Sequence, residues 1–291
     1  MARKNGVLKE NLTGYAFIAP QIILFLIFMV YPIIEGIRLS LFKVSYREEV
    51  FVGFENYKQL FDNPVFVQST INTIIFVVAI VALTVAFALF VASSIFDKNA
   101  KYVALIRGSY YIPVMVSMVV MSMVWSFLLN PANGLISYVI RELGGGNVNL
   151  LGNKSTVMPV IIFVTFATNV GQAIILYIAS MIGIPKDLFE AAEVDGATRR
   201  QTIFRILIPM VRPTTIYLII LNIINVLKIF VVIQLLTGGG PNNASTTLMY
   251  FLYNNAFKYN QIGLASAVGV IMLTIALLLS IPQLKAMLKK D

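Results

Sequence analysis

Six long apolar runs, separated by segments that hold most of the charge, constrain this sequence more than any other feature. They lie at about 15–41, 70–95, 103–129, 157–182, 214–236 and 263–281. Each comes close to or exceeds the ~20 residues that a helix needs to cross a hydrocarbon core of ~30 Å. In hydrocarbon an unpaired backbone amide finds no water, so runs of this kind are satisfied as helices. The expected fold is an all-α membrane protein with six transmembrane helices in a single domain spanning 1–291. Composition agrees, since 58% of residues are hydrophobic, 12% are charged and the mean hydropathy is +0.85, far more apolar than a soluble domain.

The first run follows Arg3, Lys4 and Lys9 as a signal peptide would. It is longer than a signal's apolar region and lacks a small-residue exit, so it reads as an uncleaved first span. The net charge of +9 raises nucleic acid as a partner, but topology accounts for it better. With the N-terminus inside, fourteen basic residues fall on the cytoplasmic side, among them Lys98, Lys101, Arg107, Lys186, Arg199, Arg200, Arg205, Arg212, Lys285, Lys289 and Lys290. Seven fall outside (Arg38, Lys43, Arg47, Lys58, Arg141, Lys154, Lys258), and Lys228 lies within a run. That asymmetry satisfies the positive-inside rule with both termini cytoplasmic. The chain has no cysteine and no histidine, which removes disulfides, thiolate metal sites and histidine-based metal chemistry.

Three connections are assigned outside. The segment from Phe42 to Ser69 mixes charges with Phe51, Phe54, Tyr57 and Phe61, and is expected to fold against the membrane surface. Asn130–Thr156 carries turn signals at Asn130-Pro131, Asn133-Gly134 and Gly144-Gly145-Gly146. The third begins at Gly238-Gly239-Gly240-Pro241. The cytoplasmic segment 183–213 is the most informative. Pro185 suits a helix's first turn, Asp187 lies near the positive end of the helix dipole, and Asp195-Gly196 supplies a stop, predicting a short helix, a turn and a second helix. Ala191 and Ala192 allow another surface close to the backbone, while Glu190 and Glu193 offer charge to a basic partner. An ordinary amphipathic surface loop has the same general composition.

The residue order favours more than that. Glu190-Ala191-Ala192, Asp195-Gly196-Ala197 and Ile208-Pro209 resemble the cytoplasmic EAA signature of ABC-importer permeases. Ala19-Pro20, Tyr31-Pro32, Phe51-Val52-Gly53-Phe54-Glu55-Asn56-Tyr57 and Leu235-Leu236-Thr237-Gly238-Gly239-Gly240-Pro241 extend the resemblance to the carbohydrate-uptake, maltose-type branch. The larger maltose permease carries extra N-terminal spans and a large outer domain with no counterpart here. The resemblance implies a type I importer fold and a heterodimer with a homologous second permease in a bacterial plasma membrane. It also implies two ATPase subunits that bind ATP and Mg, and an extracytoplasmic sugar-binding protein. Glu190, Ala191, Ala192, Asp195, Gly196 and Ala197 would then couple to an ATPase. This chain itself is expected to hold no cofactor and no metal: Gly146, Gly152, Lys154 and Ser155 superficially suggest a phosphate loop but fail its spacing.

Polar residues inside the runs are costly in lipid unless they face protein or water. Asn169 and Gln172 lie three apart, on one helical face, and Asn222, Asn225 and Lys228 repeat that spacing. Amides donate and accept, which suits hydroxyl-rich ligands. By the resemblance, Asn169, Gln172 and Asn222 match substrate-facing positions, whereas Asn225 and Lys228 match only in neighbourhood. Interhelical hydrogen bonding, worth about 1 kcal/mol per contact, explains the amides equally well. Lys228, costing roughly 2.5–3.5 kcal/mol at a span's centre, should face a cavity or a partner's carboxylate. Glu35, Asn72 and Thr73 read as interface or capping groups, and Trp125 as a membrane-interface anchor.

A secondary transporter or channel for a small polar solute is the alternative; it leaves the Glu-Ala-Ala segment unexplained, and no inverted repeat or helix-breaking pair marks the halves. A membrane enzyme would need a nucleophile, metal or acid–base set, and none stands out. A sugar and a polyol phosphate are not separated by these residues, since Lys228 keeps an anionic solute open.

Overall fold

The computed structural model of the protein describes residues 2–44, 48–146 and 148–288, with side chains between 14 and 281. Arg47, Asn147, Lys289 and Lys290 lie outside the described residues, as do the side chains of Arg3, Lys4, Lys9 and Lys285. The chain forms two compact units, 1–62 with 252–273, and 63–251 with 274–291.

In the first unit, α1 (Ala2–Phe25) continues through one π-helical turn, Leu26–Val30, into α2 (Tyr31–Leu39). The 14–39 stretch is apolar, and none of its most apolar window is buried, as expected of a helix awaiting lipid or another subunit. The following segment holds a short hairpin and a helix. Strands β1 (Phe42–Val44) and β2 (Glu49–Phe51) pair antiparallel with Phe42 opposite Phe51. Arg38 bridges Glu35 and Glu49 at 2.6 and 2.9 Å, so Glu35 is an ion-pair partner within its own unit. Helix α3 (Glu55–Asp62) is held by the buried Asn56 amide, which donates to the carbonyls of Ser40 and Phe42 at 2.8 and 3.0 Å.

In the second unit, α4 (Pro64–Ile95) starts at Asn63, whose side chain accepts from Val65 N, and Pro64 at the first turn forfeits no hydrogen bond. Helices α5 (Ala100–Met115) and α6 (Met118–Leu128) meet at 94°. The apolar run 103–129 is therefore not one straight helix. Val116 is extended and Ser117 starts a new helix, its Oγ accepting from Val119 N. After α7 (Leu135–Glu142) comes α8 (Val157–Ile182). The 183–213 segment folds as α9 (Asp187–Val194), α10 (Arg199–Thr202), a π turn and α11 (Ile208–Met210). It bends 61° into α12 (Arg212–Leu227). The run 214–236 also divides: α12 ends at Leu227, and α13 (Val231–Leu236) follows a break at Lys228, Ile229 and Phe230. Two of the expected runs, 103–129 and 214–236, are thus broken helices and not single spans of unbroken helix.

Helix α14 (Leu248–Tyr253) continues through a π turn, Asn254–Lys258, and α15 (Ile262–Leu288) follows a break at Tyr259, Asn260 and Gln261. Among the described residues, four helices are long and apolar enough to cross a membrane, and six if each bent pair counts as one span. Lipid provides no hydrophobic drive between helices, so close packing must hold them. Small residues allow it. A Cβ at Gly171 on α8 would stand 1.9 Å from the Tyr110 carbonyl oxygen of α5. Ala88, Ala92 and Ala173 line the core beside Ile174, Tyr177 and Leu207. A second core gathers Phe76, Ile161, Val164, Ile233 and Tyr250.

Candidate functional site

The segment 183–213 holds a helix–turn–helix whose turn is capped on both sides. Pro185 lies just before α9 rather than within it, its carbonyl accepting from Leu188 N at 3.4 Å. Asp187 and Glu190 occupy the first turn, favourable beside the positive helix end. At the other end Gly196 has φ +72°. Its N–H donates to the Glu193 carbonyl at 3.0 Å, and Ala197 N–H donates to the Ala192 carbonyl at 2.9 Å. This is the Schellman closure that a left-handed glycine permits. The next helix opens with a capping box: Thr198 Oγ1 accepts from Gln201 N, while Gln201 Oε1 accepts from Thr198 N at 2.7 Å. The Thr-x-x-Gln spacing was available in the sequence as a signal for this start.

The turn presents Glu190, Ala191, Glu193, Asp195 and Gly196 to solvent. Ala192 is buried at 8% exposure and Ala197 is half-buried, so Ala191 alone of the alanine pair is open to close approach. A groove of about 510 Å³ beside them is lined by Leu188, Ala191, Asp195, Gln201 and Arg205. Two contacts seat this element on α4. Phe189 packs against Phe96 with ring centroids 5.6 Å apart, and Arg199 donates to both Asp97 carboxylate oxygens at 3.0 Å and to the Ser94 carbonyl at 2.9 Å.

Helices α8 and α12 meet through Tyr177 Oη to Thr215 Oγ1 at 2.9 Å and Thr214 Oγ1 to Ser180 Oγ at 2.8 Å. Asn169 lies eight residues from Tyr177, and Asn222 seven from Thr215, so at ~1.5 Å per residue both stand about 10–12 Å along their helices from that contact. Both side chains are half-buried, and each amide nitrogen bonds its own helix: Asn169 to the Thr165 carbonyl at 2.9 Å, Asn222 to that of Leu218 at 2.8 Å. Gln172 and Asn225 are exposed. Lys228 is not inside a helix but at the turn that ends α12, where it too is exposed. The buried Thr165 Oγ1, one turn from Asn169, has no hydrogen-bond partner among the described residues, and the sequence reading passed over it.

Other polar and aromatic residues that the sequence singles out find their contacts here. Asn72 and Thr73 pin a distant loop: Asn72 Nδ2 donates to the carbonyls of Asn243 and Thr246 at 3.0 and 2.9 Å, and Thr73 Oγ1 accepts from Leu248 N at 2.9 Å. That loop is folded on itself, with Ser245 Oγ donating to the Gly240 carbonyl and Thr246 Oγ1 to that of Gly239. Trp125, expected as a membrane-interface anchor, is half-buried against the protein. Its ring meets Phe163 edge-on at 5.7 Å and its indole N–H is buried without a partner among the described residues.

A family described as binding-protein-dependent transport system inner membrane component matches residues 84–284. The chain belongs to this family. It is 35% identical to the probable ABC transporter permease protein YurN of Bacillus subtilis (strain 168), covering 95% of this chain and 96% of that one. It is 28% identical to the arabinooligosaccharides transport system permease protein AraP of the same organism, over 93% and 87%. It is 29% identical to the sn-glycerol-3-phosphate transport system permease protein UgpA of Agrobacterium fabrum, over 98% and 97%. A chain of a bacterial alginate ABC transporter, in complex with alginate pentasaccharide-bound periplasmic protein, superposes with a TM-score of 0.84 at 25% identity, covering 96% and 94%. The protein is thus an ABC-importer permease subunit and not an enzyme, with the helical fold of such permeases. Membership of this family weighs against the alternative of a secondary transporter or channel.

Proposed function

We propose that the chain is one of two homologous permease subunits that together line a path for a sugar or oligosaccharide across a bacterial inner membrane. Two partner ATPases hydrolyse ATP, and an extracytoplasmic binding protein delivers the solute. Both termini and the 183–213 segment lie in the cytoplasm. The observation that carries the reading is the capped turn from Glu190 to Ala197, a stiff, acid-bearing projection seated on α4 by Arg199 and Phe189. A floppy loop would lose an ATPase's motion, whereas a double-capped one transmits it. ATP draws the ATPases together, the docked turns follow and the cavity opens outward; hydrolysis resets it inward.

The arabinooligosaccharide and alginate relatives favour a carbohydrate. A second reading, a polyol phosphate, draws on the sn-glycerol-3-phosphate relative and the exposed Lys228. In both, Asn169, Gln172, Asn222 and Asn225 supply hydrogen bonds to hydroxyls, and only the second needs Lys228. Proteoliposomes holding both permeases and the ATPases, supplied with binding protein and labelled solutes, test the proposal. Uptake should require internal ATP. Uptake driven by an ion gradient without the ATPases would overturn it. Single cysteines at Lys58, Asn243 and Gln201 test the orientation: an impermeant reagent should reach only the first two in intact cells.

A further inference from the structure

A cavity of about 400 Å³ lies where α4 ends, α5 begins and α8 ends. Its lining divides by chemistry. Ile95, Val103 and Ile178 are among its apolar walls, and Lys98, Arg107 and Lys186 are its charged groups, with no carboxylate among them. None of the three enters an ion pair among the described residues, and Asp97, the acid next to Lys98, is occupied by Arg199. The exposed Asp187 and Glu190 of the adjoining α9 do not line the cavity.

Arg107 is the unusual member. It stands seven residues into α5, about 10 Å from the helix start, half-buried near the exposed Leu105 and about one and a half turns before the exposed Ile112. A guanidinium at that depth needs an anion or a path back to water. Three converging helix ends with exposed apolar neighbours, Leu105 and Ile182 at 65% and 70%, mark the border where a lipid headgroup meets its acyl chains.

We propose that this cavity binds an anionic phospholipid. Its phosphate is held by the Arg107 fork with Lys98 and Lys186, and its chain lies on the Ile95–Val103–Ile178 wall. Guanidinium pairs bidentately with phosphate, and basic pockets between helix ends at the cytoplasmic face suit such headgroups. Phe96 lines the same cavity and also packs on Phe189 of α9. A seated lipid therefore braces the element proposed to couple to the ATPase. The inference rests on the membrane placement of α4, α5 and α8 and is independent of the solute carried.

The experiment uses the whole transporter in nanodiscs of phosphatidylglycerol mixed with phosphatidylcholine, with bound lipid read by native mass spectrometry after detergent extraction. Phosphatidylglycerol should be retained on the permease in preference to phosphatidylcholine. In Lys98→Gln/Arg107→Gln its retention should fall about 25-fold, at about fivefold per basic side chain. Lys98→Arg/Arg107→Lys should retain it, and Lys154→Gln/Lys258→Gln, which removes equal charge elsewhere, should match wild type. Unchanged retention in the Lys98/Arg107 neutral variant overturns the proposal. So does displacement of the lipid by inorganic phosphate at millimolar levels, which assigns the site to a soluble anion. Loss of the ATPase from that variant with lipid retained assigns the surface to a protein partner instead.

Discussion

Arg199 and Asp97, 102 residues apart, form a two-pronged ion pair with both hydrogen bonds at 3.0 Å, and the same guanidinium also takes the Ser94 carbonyl. One side chain thereby fixes the start of the second helix of the capped turn to the end of α4. Both partners are more than a third exposed, so the pair contributes at most about 1 kcal/mol to stability. Its larger effect is positional. Arg199→Ala should leave the complex's melting temperature within a few degrees while lowering solute moved per ATP hydrolysed, measured as paired uptake and phosphate release in proteoliposomes. A proportional fall in both would show that the pair does not govern coupling.

The same pair has a pH signature. Burial pushes the Asp97 carboxyl up, but hydrogen bonding to Arg199 and its charge outweigh that and hold it below the usual carboxylate value. A depressed carboxyl contributes fully above its unfolded value and loses that contribution as pH falls through the lowered one. Coupling through the pair should therefore be flat across pH 6–8, with loss only in acid below about 4. Asp97→Asn should fall short of wild type at neutral pH and converge with it in acid. A wild-type coupling ratio that titrates near neutrality would place the controlling group elsewhere.

Asn72 is the corresponding tether on α4's other half. Its amide nitrogen satisfies two loop carbonyls, and the side chain is 1% exposed. Asn72→Ala leaves the carbonyls of Asn243 and Thr246 without that donor, costing about 1–3 kcal/mol. The variant should melt several degrees lower and expose the 237–247 loop to protease. An unchanged cleavage pattern would show that the loop's own hydroxyl network suffices.

What the sequence made legible divides by range. Apolar length revealed where helices lie, and Asp195-Gly196 revealed where α9 stops, because both depend on neighbours along the chain. The 94° break at Val116–Ser117 stayed hidden inside an apolar run, since Ser117 serves as a cap only once the backbone has turned. For the same reason Lys228 sits within an apolar run in the sequence, and nothing local marks it as the residue at which α12 ends. Asn72 read as an interface or capping group with no partner named, because its partners lie more than 170 residues away. Ala192 read as part of an open surface because only the packed fold shows which alanine of the pair turns inward.

The amides of α8 and α12 give a discriminating pair of variants. Asn169 and Asn222 each bond a carbonyl of their own helix, so neither amide nitrogen ties the two helices together. Asn169→Leu and Asn222→Leu should therefore spare assembly and basal ATP hydrolysis while depressing uptake. Gln172→Leu, at an exposed position, should behave the same way if it meets solute. Co-purification of the complex with its ATPase, followed by uptake assays, separates the outcomes. Loss of assembly would mark these residues as structural, and unchanged uptake in all three would move the path elsewhere.

Gly196 tests the coupling turn most sharply, because the strain there is conformational and not steric. Its φ is +72°, yet a Cβ added to it would meet nothing within 4 Å. A side chain at this position suffers only from the left-handed backbone, at a cost of roughly 1–2 kcal/mol that asparagine evades in part through its short polar group. The ordering should be Gly196, then Asn, then Ala, with Val worst because its branched Cβ tolerates positive φ least. Opening the turn breaks the Ala197-to-Ala192 closure and swings Thr198 and its capping box away from α9. Gly196→Val should thus insert normally yet capture less ATPase in co-purification, with Gly196→Asn near wild type. Equal capture by the Asn and Val variants, both reduced, would show that the ATPase touches Gly196 directly. Full capture together with normal ATP-dependent uptake in Gly196→Val would remove the turn's shape from the coupling mechanism.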